Sequence, residues 1–239
     1  LAEQQSALSS RAVTRGLDTS APMKDSGFVW IGSMPRHWEA KRFKWVATRI
    51  DVGIAEAATH AYADTGVPII RSTDIRPNFL DTSDLLRIQQ WFADKNGSKY
   101  LRGGDILTVR TGNAGISAVV PESLDGSQCF TLLISSLKRH NCSKYFCYQL
   151  NAKPCQSFFA REGWGTAQVN ISVPILQNVP VACPPPEEQE KIAAHIETST
   201  AKADSLMITT ESQLRRLQEY RSALITAAVT GQIGVNTAV

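Results

Sequence analysis

The chain has 239 residues, 43% hydrophobic and 20% charged, with 25 Lys+Arg against 22 Asp+Glu. That balance suits one large or two modest folded domains and excludes a disordered polyelectrolyte. No apolar run approaches the roughly 20 residues that span a bilayer, and no charged-then-apolar signal segment opens the chain, so no membrane association is expected and the cytoplasm is the expected address.

Residues 1–15, LAEQQSALSSRAVTR, are helical in pattern, and Gly16 followed by Asp18, Ser20 and Pro22 reads as a stop and a linker. Set against residues 217–230 at an offset of 216, the first fourteen positions agree at eight, among them Leu8/Leu224, Ala12/Ala228, Val13/Val229 and Thr14/Thr230. Composition alone gives about one match. A long-period repeat marks a duplicated unit, so residues 1–15 read as the end of an earlier copy, docked on a C-terminal helix or frayed.

From Met23 to about Pro186 the texture is that of an irregular, strand-dominated mixed domain. Short runs such as Val67–Ile70, Asp105–Val109 and Ile116–Val120 are punctuated by Gly, Asn and Asp. One internal helix is predicted over Lys144–Arg161, with Tyr145, Tyr148, Phe158 and Phe159 inward and a kink at Pro154. The run Lys41-Arg42-Phe43-Lys44-Trp45 is expected to pack its rings inward. The five cysteines form no CxxC pair and read as reduced structural thiols, and neither they nor the histidines suggest a metal site.

Pro184–Pro186 followed by Glu187, Glu188 and Glu190 mark a helix start, and Gly231 marks its end. The intervening 44 residues free of Gly and Pro would form a helix of about 60 Å. Ile192, Ile196, Ser199, Ala203, Leu206, Thr210, Gln213, Leu217, Tyr220 and Leu224 recur at steps of four and three, a coiled-coil seam that needs a second long helix. Charge divides with the segments. Residues 24–186 hold 18 Lys+Arg against 13 Asp+Glu, and 187–230 hold 5 against 7. A basic head invites a polyanion, and a mildly acidic helix invites a protein.

The fold class expected is α+β: a β-rich mixed domain followed by a long coiled-coil helix. The segments are 1–22 (end of a preceding helix and linker), 23–185 (head), 186–231 (long helix) and 232–239 (tail).

Met23-Lys24-Asp25-Ser26-Gly27, then Trp30-Ile31-Gly32, Pro35-Arg36-His37-Trp38-Glu39 and Lys44-Trp45, resemble the opening of a target recognition domain in the DNA specificity (S) subunit of Type I restriction-modification enzymes. Leu101–Leu107 with Arg110-Thr111-Gly112-Asn113-Ala114-Gly115 resembles that domain's Gly-Asp-Ile-Leu strand and glycine-containing loop. Pro184–Ile192 resembles the family's proline-to-Glu-Gln boundary, and Leu217–Gly231 the end of its long helix. The resemblance covers essentially the whole chain. It implies two recognition domains and two antiparallel helices in a complete subunit, each domain reading one half of a split target in double-stranded DNA. It further implies that the helices dock methyltransferase (M) subunits and, through them, the restriction (R) subunit. Only one recognition domain is present here. Three readings stay open: a C-terminal fragment, a half-subunit that pairs as a homodimer, or a protein beginning at Met23 with something else upstream.

A DNA reader needs cations for phosphates and forked polar side chains for base edges. The loop-borne candidates are Arg71, Arg76, Asn78, Arg110, Asn113, Lys138, Arg139, His140, Lys144, Arg161, Gln168 and Asn170. No methyltransferase motif, phosphate loop or dinucleotide fingerprint is present, so no catalytic residue and no cofactor is expected in this chain. The resemblance puts S-adenosylmethionine and ATP on partner subunits. Two competing readings are an enzyme with a dimerising tail using Asp74, Asp81 and Asp84, and a structural coiled-coil adaptor.

Overall fold

The computed structural model of the chain describes residues 2–56, 59–163, 165 and 169–231. In chain order, α1 (Ala2–Arg15) precedes β1 (Met23–Asp25), β2 (Ser33–Pro35), β3 (Glu39–Arg42) and β4 (Ala47–Val52). Next come β5 (Tyr62–Ala63), β6 (Val67–Ile70), β7 (Ile75–Arg76), β8 (Phe79–Leu80), β9 (Leu86–Ile88) and α2 (Gln90–Lys95). Then follow β10 (Ile106–Thr108), β11 (Ser117–Val119), β12 (Gln128–Cys129), β13 (Leu133–Leu137), α3 (Ser143–Asn151), α4 (Lys153–Glu162), α5 (Val173–Asn178), β14 (Pro180–Cys183) and α6 (Pro186–Val229). The chain divides into two compact units. One, the head, is Ser6–Ile196, and the other takes α6 from Glu197 onward with the first turn of α1.

Two four-stranded sheets organise the head, ordered β11-β10-β13-β4 and β12-β6-β9-β5, with three smaller strand pairs around them. β10 is buried along its whole length, as an apolar strand covered on both faces must be. Its one polar residue, Thr108, pairs with Ser117 across the β10–β11 register, their hydroxyls 2.8 Å apart, so neither is stranded in the core. The largest cluster joins Trp38, Phe43, Tyr145, Phe146, Leu150 and Phe159 to Ala12 and Val13 of α1 and to Ile192, Ala193 and Ile196 of α6. From Ser6 onward, therefore, α1 belongs to the head.

The single helix predicted over Lys144–Arg161 is two helices, α3 and α4, separated by an extended Ala152. Pro154 explains the break: it has no N–H to give the Leu150 carbonyl, and its ring would collide with it. The chain restarts with Pro154 in the first turn of α4, and Gln156 Nε2 supplies the missing donor to Leu150 O at 2.7 Å. Tyr145 and Phe159 are buried, and Tyr148 and Phe158 pack at the margin of the core.

α6 is rooted by Gln189, which is buried. Its Oε1 accepts from Cys142 N, at the start of α3, and its Nε2 donates to Pro184 O, both at 2.9 Å. Ile192 and Ile196, expected at the seam, lie in the head's own core. No described residue of α6 beyond Ile196 is buried. Leu206, Leu217 and Tyr220 are about two-thirds exposed and Leu224 is 41% exposed, while Ala203 is only half-buried. No helix among the described residues is long and apolar enough to cross a membrane.

Candidate nucleic-acid interface

The β10–β11 connection crosses the end of its sheet in a tight loop. Val109 N donates to Ile116 O, and Gly115 N returns to Val109 O, each at 2.8 Å. Gly115 sits at φ +93°, and a Cβ there would lie 2.7 Å from the Phe159 ring. Only glycine combines that left-handed backbone with that close approach. The loop is thereby held against α4, with Thr111, Gly112 and Asn113 exposed at its tip.

Two other segments close on this loop. Ile171 N donates to Arg110 O at 2.9 Å, Thr111 and Asn170 form an antiparallel bridge, and Arg110 Nε donates to Asn170 Oδ1 at 3.3 Å. On the far edge of β11 lies the β7–β8 hairpin, whose tip residue Asn78 takes φ +61° and donates its N–H to Ser117 O at 2.9 Å. Asn151 locks this arrangement. Its Nδ2 donates to Asn78 Oδ1 (2.7 Å) and Ser117 O (2.8 Å), and its Oδ1 accepts from Ser117 N (2.9 Å). Arg76, Asn78, Arg110, Asn113 and Asn170 are thus brought to one end of the sheet. Asn151, which orders them, carried no sequence signal of its own. Arg76, Asn78 and the neighbouring Phe79 are exposed.

Arg161, at the end of α4 beside this region, lies over the Trp30 ring at 5.6 Å. Gln168 lies outside the described residues.

The remaining cations sit elsewhere. β13 runs antiparallel to β10, so its C-terminal end faces away from the 109–116 loop, about 17 Å along the strand. Lys138, Arg139, His140 and Lys144 follow that end. Lys138 lines a groove of about 490 Å³ with Phe28, Ala40, Lys41, Arg42 and Trp45. The Lys41–Trp45 run therefore differs from expectation. Phe43 is fully buried, but Trp45 ends a single 3-10 turn and is 60% exposed, with Lys44 over its ring. One turn of 3-10 helix eclipses residues three apart and cannot send Phe43 and Trp45 the same way.

Arg71 has a structural task. Its backbone N–H and guanidinium both bind the Asp74 carboxylate, with Nη2 to Oδ1 at 2.9 Å, and Nη2 also reaches Asp84 O at 3.4 Å. The Asp74 carboxylate beside it raises the Arg71 pKa. Asp81 accepts from both N–H and Oγ of Ser83, which lowers its pKa. Two of the three carboxylates of the enzyme reading are thus occupied by capping and turn duty, and that reading is not favoured.

A family model described as Type I restriction modification DNA specificity domain matches residues 36–216. Among solved structures, a chain from work on complex assembly and conformational transition of the type I R-M system superposes with a TM-score of 0.63 at 18% identity, over 95% of this chain and 53% of that one. The HsdS subunit from Thermoanaerobacter tengcongensis gives 0.57 at 17% identity, over 97% of this chain and 51% of that one. A Type-I restriction-modification S subunit from M. genitalium gives 0.50 at 12%, over 90% and 49%. The chain spans about half the length of these structures, and at such identities they establish the fold: a β-rich mixed domain followed by a long helix. The family match takes in well over half of the residues, and the chain belongs to the Type I restriction modification DNA specificity domain family.

Proposed function

We propose that this chain reads one half of a bipartite sequence in double-stranded DNA for a Type I restriction-modification system and contributes no chemistry of its own. One observation carries the assignment of the reading surface. Two adjoining loops and Asn170 gather arginine and asparagine side chains, the residue types that pair bidentately with guanine and adenine edges, at one end of the sheet. In this reading Arg76, whose Nη1 also donates to Thr73 O, and Arg161 meet phosphates beside them.

In this reading α6 sets the distance to a second recognition domain and docks methyltransferase subunits, which recruit the restriction subunit. The exposed stripe from Leu206 to Leu224 supports it, because a seam this narrow is stable only against another helix. The second domain is supplied by a longer form of the chain or by a second copy as a homodimer. S-adenosylmethionine and ATP belong to the partner subunits, and the assembly works in the cytoplasm. Titration of random-sequence duplex with this chain, alone and with the cognate methyltransferase subunit, tests the reading. Binding that weakens steeply with salt is expected, and its absence in both titrations would refute the assignment.

A further inference from the structure

β3 has one partnered edge and one open edge. It pairs antiparallel with β14 alone, with Ala40 opposite Ala182, Lys41 opposite Val181 and Arg42 opposite Pro180. Both main-chain groups of Ala182 turn away from β3 toward α3: its N–H donates to Gln149 Oε1 at 3.0 Å, and its carbonyl accepts from Tyr145 Oη at 3.1 Å. Pro180 has no N–H, and its carbonyl accepts from Cys155 Sγ at 3.7 Å. Residues directly opposite in an antiparallel ladder exchange both bonds or neither, so Ala40 and Arg42 point their main-chain groups away from β14. Phe43 N, which donates to Val179 O at 2.9 Å, continues the alternation. Among the described residues no strand covers the outward edge.

The groove of about 490 Å³ lies against this edge, and the cations Lys41, Arg42 and Lys138 line it with no carboxylate among them. Lys41 pairs with Glu39, outside this groove, and Arg42 Nη1 donates to Asn178 Oδ1. Lys138 meets no carboxylate among the described residues. Trp45 adds an indole that is 60% exposed, and Trp and Arg are the side chains that most often anchor protein interfaces. A second groove, of about 330 Å³, shares Lys41, Trp45 and Lys138 and leads on to Pro184–Pro186.

We propose that the open edge of β3 is a docking site for an extended acidic segment of a partner protein, added as a third strand to the β14–β3 pair. Such a strand exchanges main-chain bonds with Ala40 and gives an acceptor to Arg42 N–H. Its side chains alternate between the two faces of β3, one row passing Lys41 and the other passing Ala40 and Arg42. Carboxylates answer the cations, and an apolar residue covers Trp45. Duplex DNA suits the charge but not the edge, because phosphates only accept and the Ala40 carbonyl calls for a donor. Lys138 follows the end of β13 that faces away from the 109–116 loop, so a segment docked here leaves the reading surface free.

The probe is a labelled, end-blocked hexapeptide of alternating glutamate and valine, titrated into the intact chain by fluorescence polarisation. Binding is expected, and it should weaken at least tenfold when lysine replaces glutamate or when the four central amides are N-methylated. Lys138→Glu or Trp45→Ala in the protein should weaken it as much; neither side chain is in the core, so thermal melts should not change. Amide NMR gives a readout without substitutions: the peptide should slow hydrogen exchange at Ala40 and Arg42 at least tenfold and leave Lys41, already in the ladder, unchanged. No binding, equal binding of the lysine or N-methylated peptide, unprotected Ala40 and Arg42 amides, or displacement of the peptide by a short random-sequence duplex would overturn the proposal. None of these readouts depends on the 109–116 loop, so failure here is separable from failure of the DNA-reading assignment.

Discussion

Asn151 Nδ2 donates a 2.7 Å hydrogen bond to Asn78 Oδ1, tying the last residue of α3 to the tip of the β7–β8 hairpin. The same side chain holds Ser117 of β11 through both its N–H and its carbonyl. Asn151→Ala strands the N–H of Ser117, a buried residue, and frees the hairpin. A loss of about 2 kcal/mol in urea unfolding is expected, with a fall in DNA affinity larger than the loss of folded protein explains. Unchanged affinity would mean that the hairpin's position does not matter to reading.

Arg110→Ala and Lys138→Ala should behave differently, because the strand between them separates the two ends of the sheet. Removing Arg110 is expected to cost about 1–3 kcal/mol of discrimination at one base pair. Removing Lys138 should leave sequence preference unchanged. Competition binding with single-base-pair variants of a selected duplex measures both.

Arg71→Ala is expected to act on stability. The Asp74 carboxylate, 7% exposed, would lose its paired cation but keep the backbone N–H of residue 71, at about 1–2 kcal/mol. The folded fraction should bind DNA with little change. A selective loss of affinity at unchanged stability would place Arg71 on the DNA instead.

Much of this was legible in the sequence, for identifiable reasons. α6 declared itself through proline and acidic residues at its start, a glycine after its end, and 44 intervening residues free of both breakers. The duplicated helix end was equally plain. Other features depended on tertiary partners that no local pattern carries. Arg71 reads as a loop cation in the sequence, but its backbone N–H and guanidinium both bind the Asp74 carboxylate. Ile192 and Ile196 share the seam's periodicity with Leu217 and Leu224, but the head covers the first pair alone. Trp45 faces outward because a single 3-10 turn, rather than a strand, connects β3 to β4.

Buried thiols give the fold an alkaline limit. Burial pushes Cys129 and Cys155 up to about 12 and raises Cys147 as well, whereas an unfolded thiol ionises near 8.5. Above that pH the unfolded chain binds fewer protons, so stability is full below it and falls as pH rises, by about 1.4 kcal/mol per unit for each thiol. Thermal melts from pH 8 to 11 should show the decline, shallower in Cys155→Ala by one thiol's share. In native protein Cys129, Cys147 and Cys155 should resist alkylation until unfolded.

The most direct measurement is selection from a randomised duplex library with this chain in the presence of its methyltransferase subunit, repeated with Arg110→Ala and Asn113→Ala. The expected result is enrichment of one short contiguous half-site, with preference relaxed at individual positions in each variant. Enrichment that is identical in both variants, or no enrichment at all, would contradict the placement of the reading surface on the 109–116 loop.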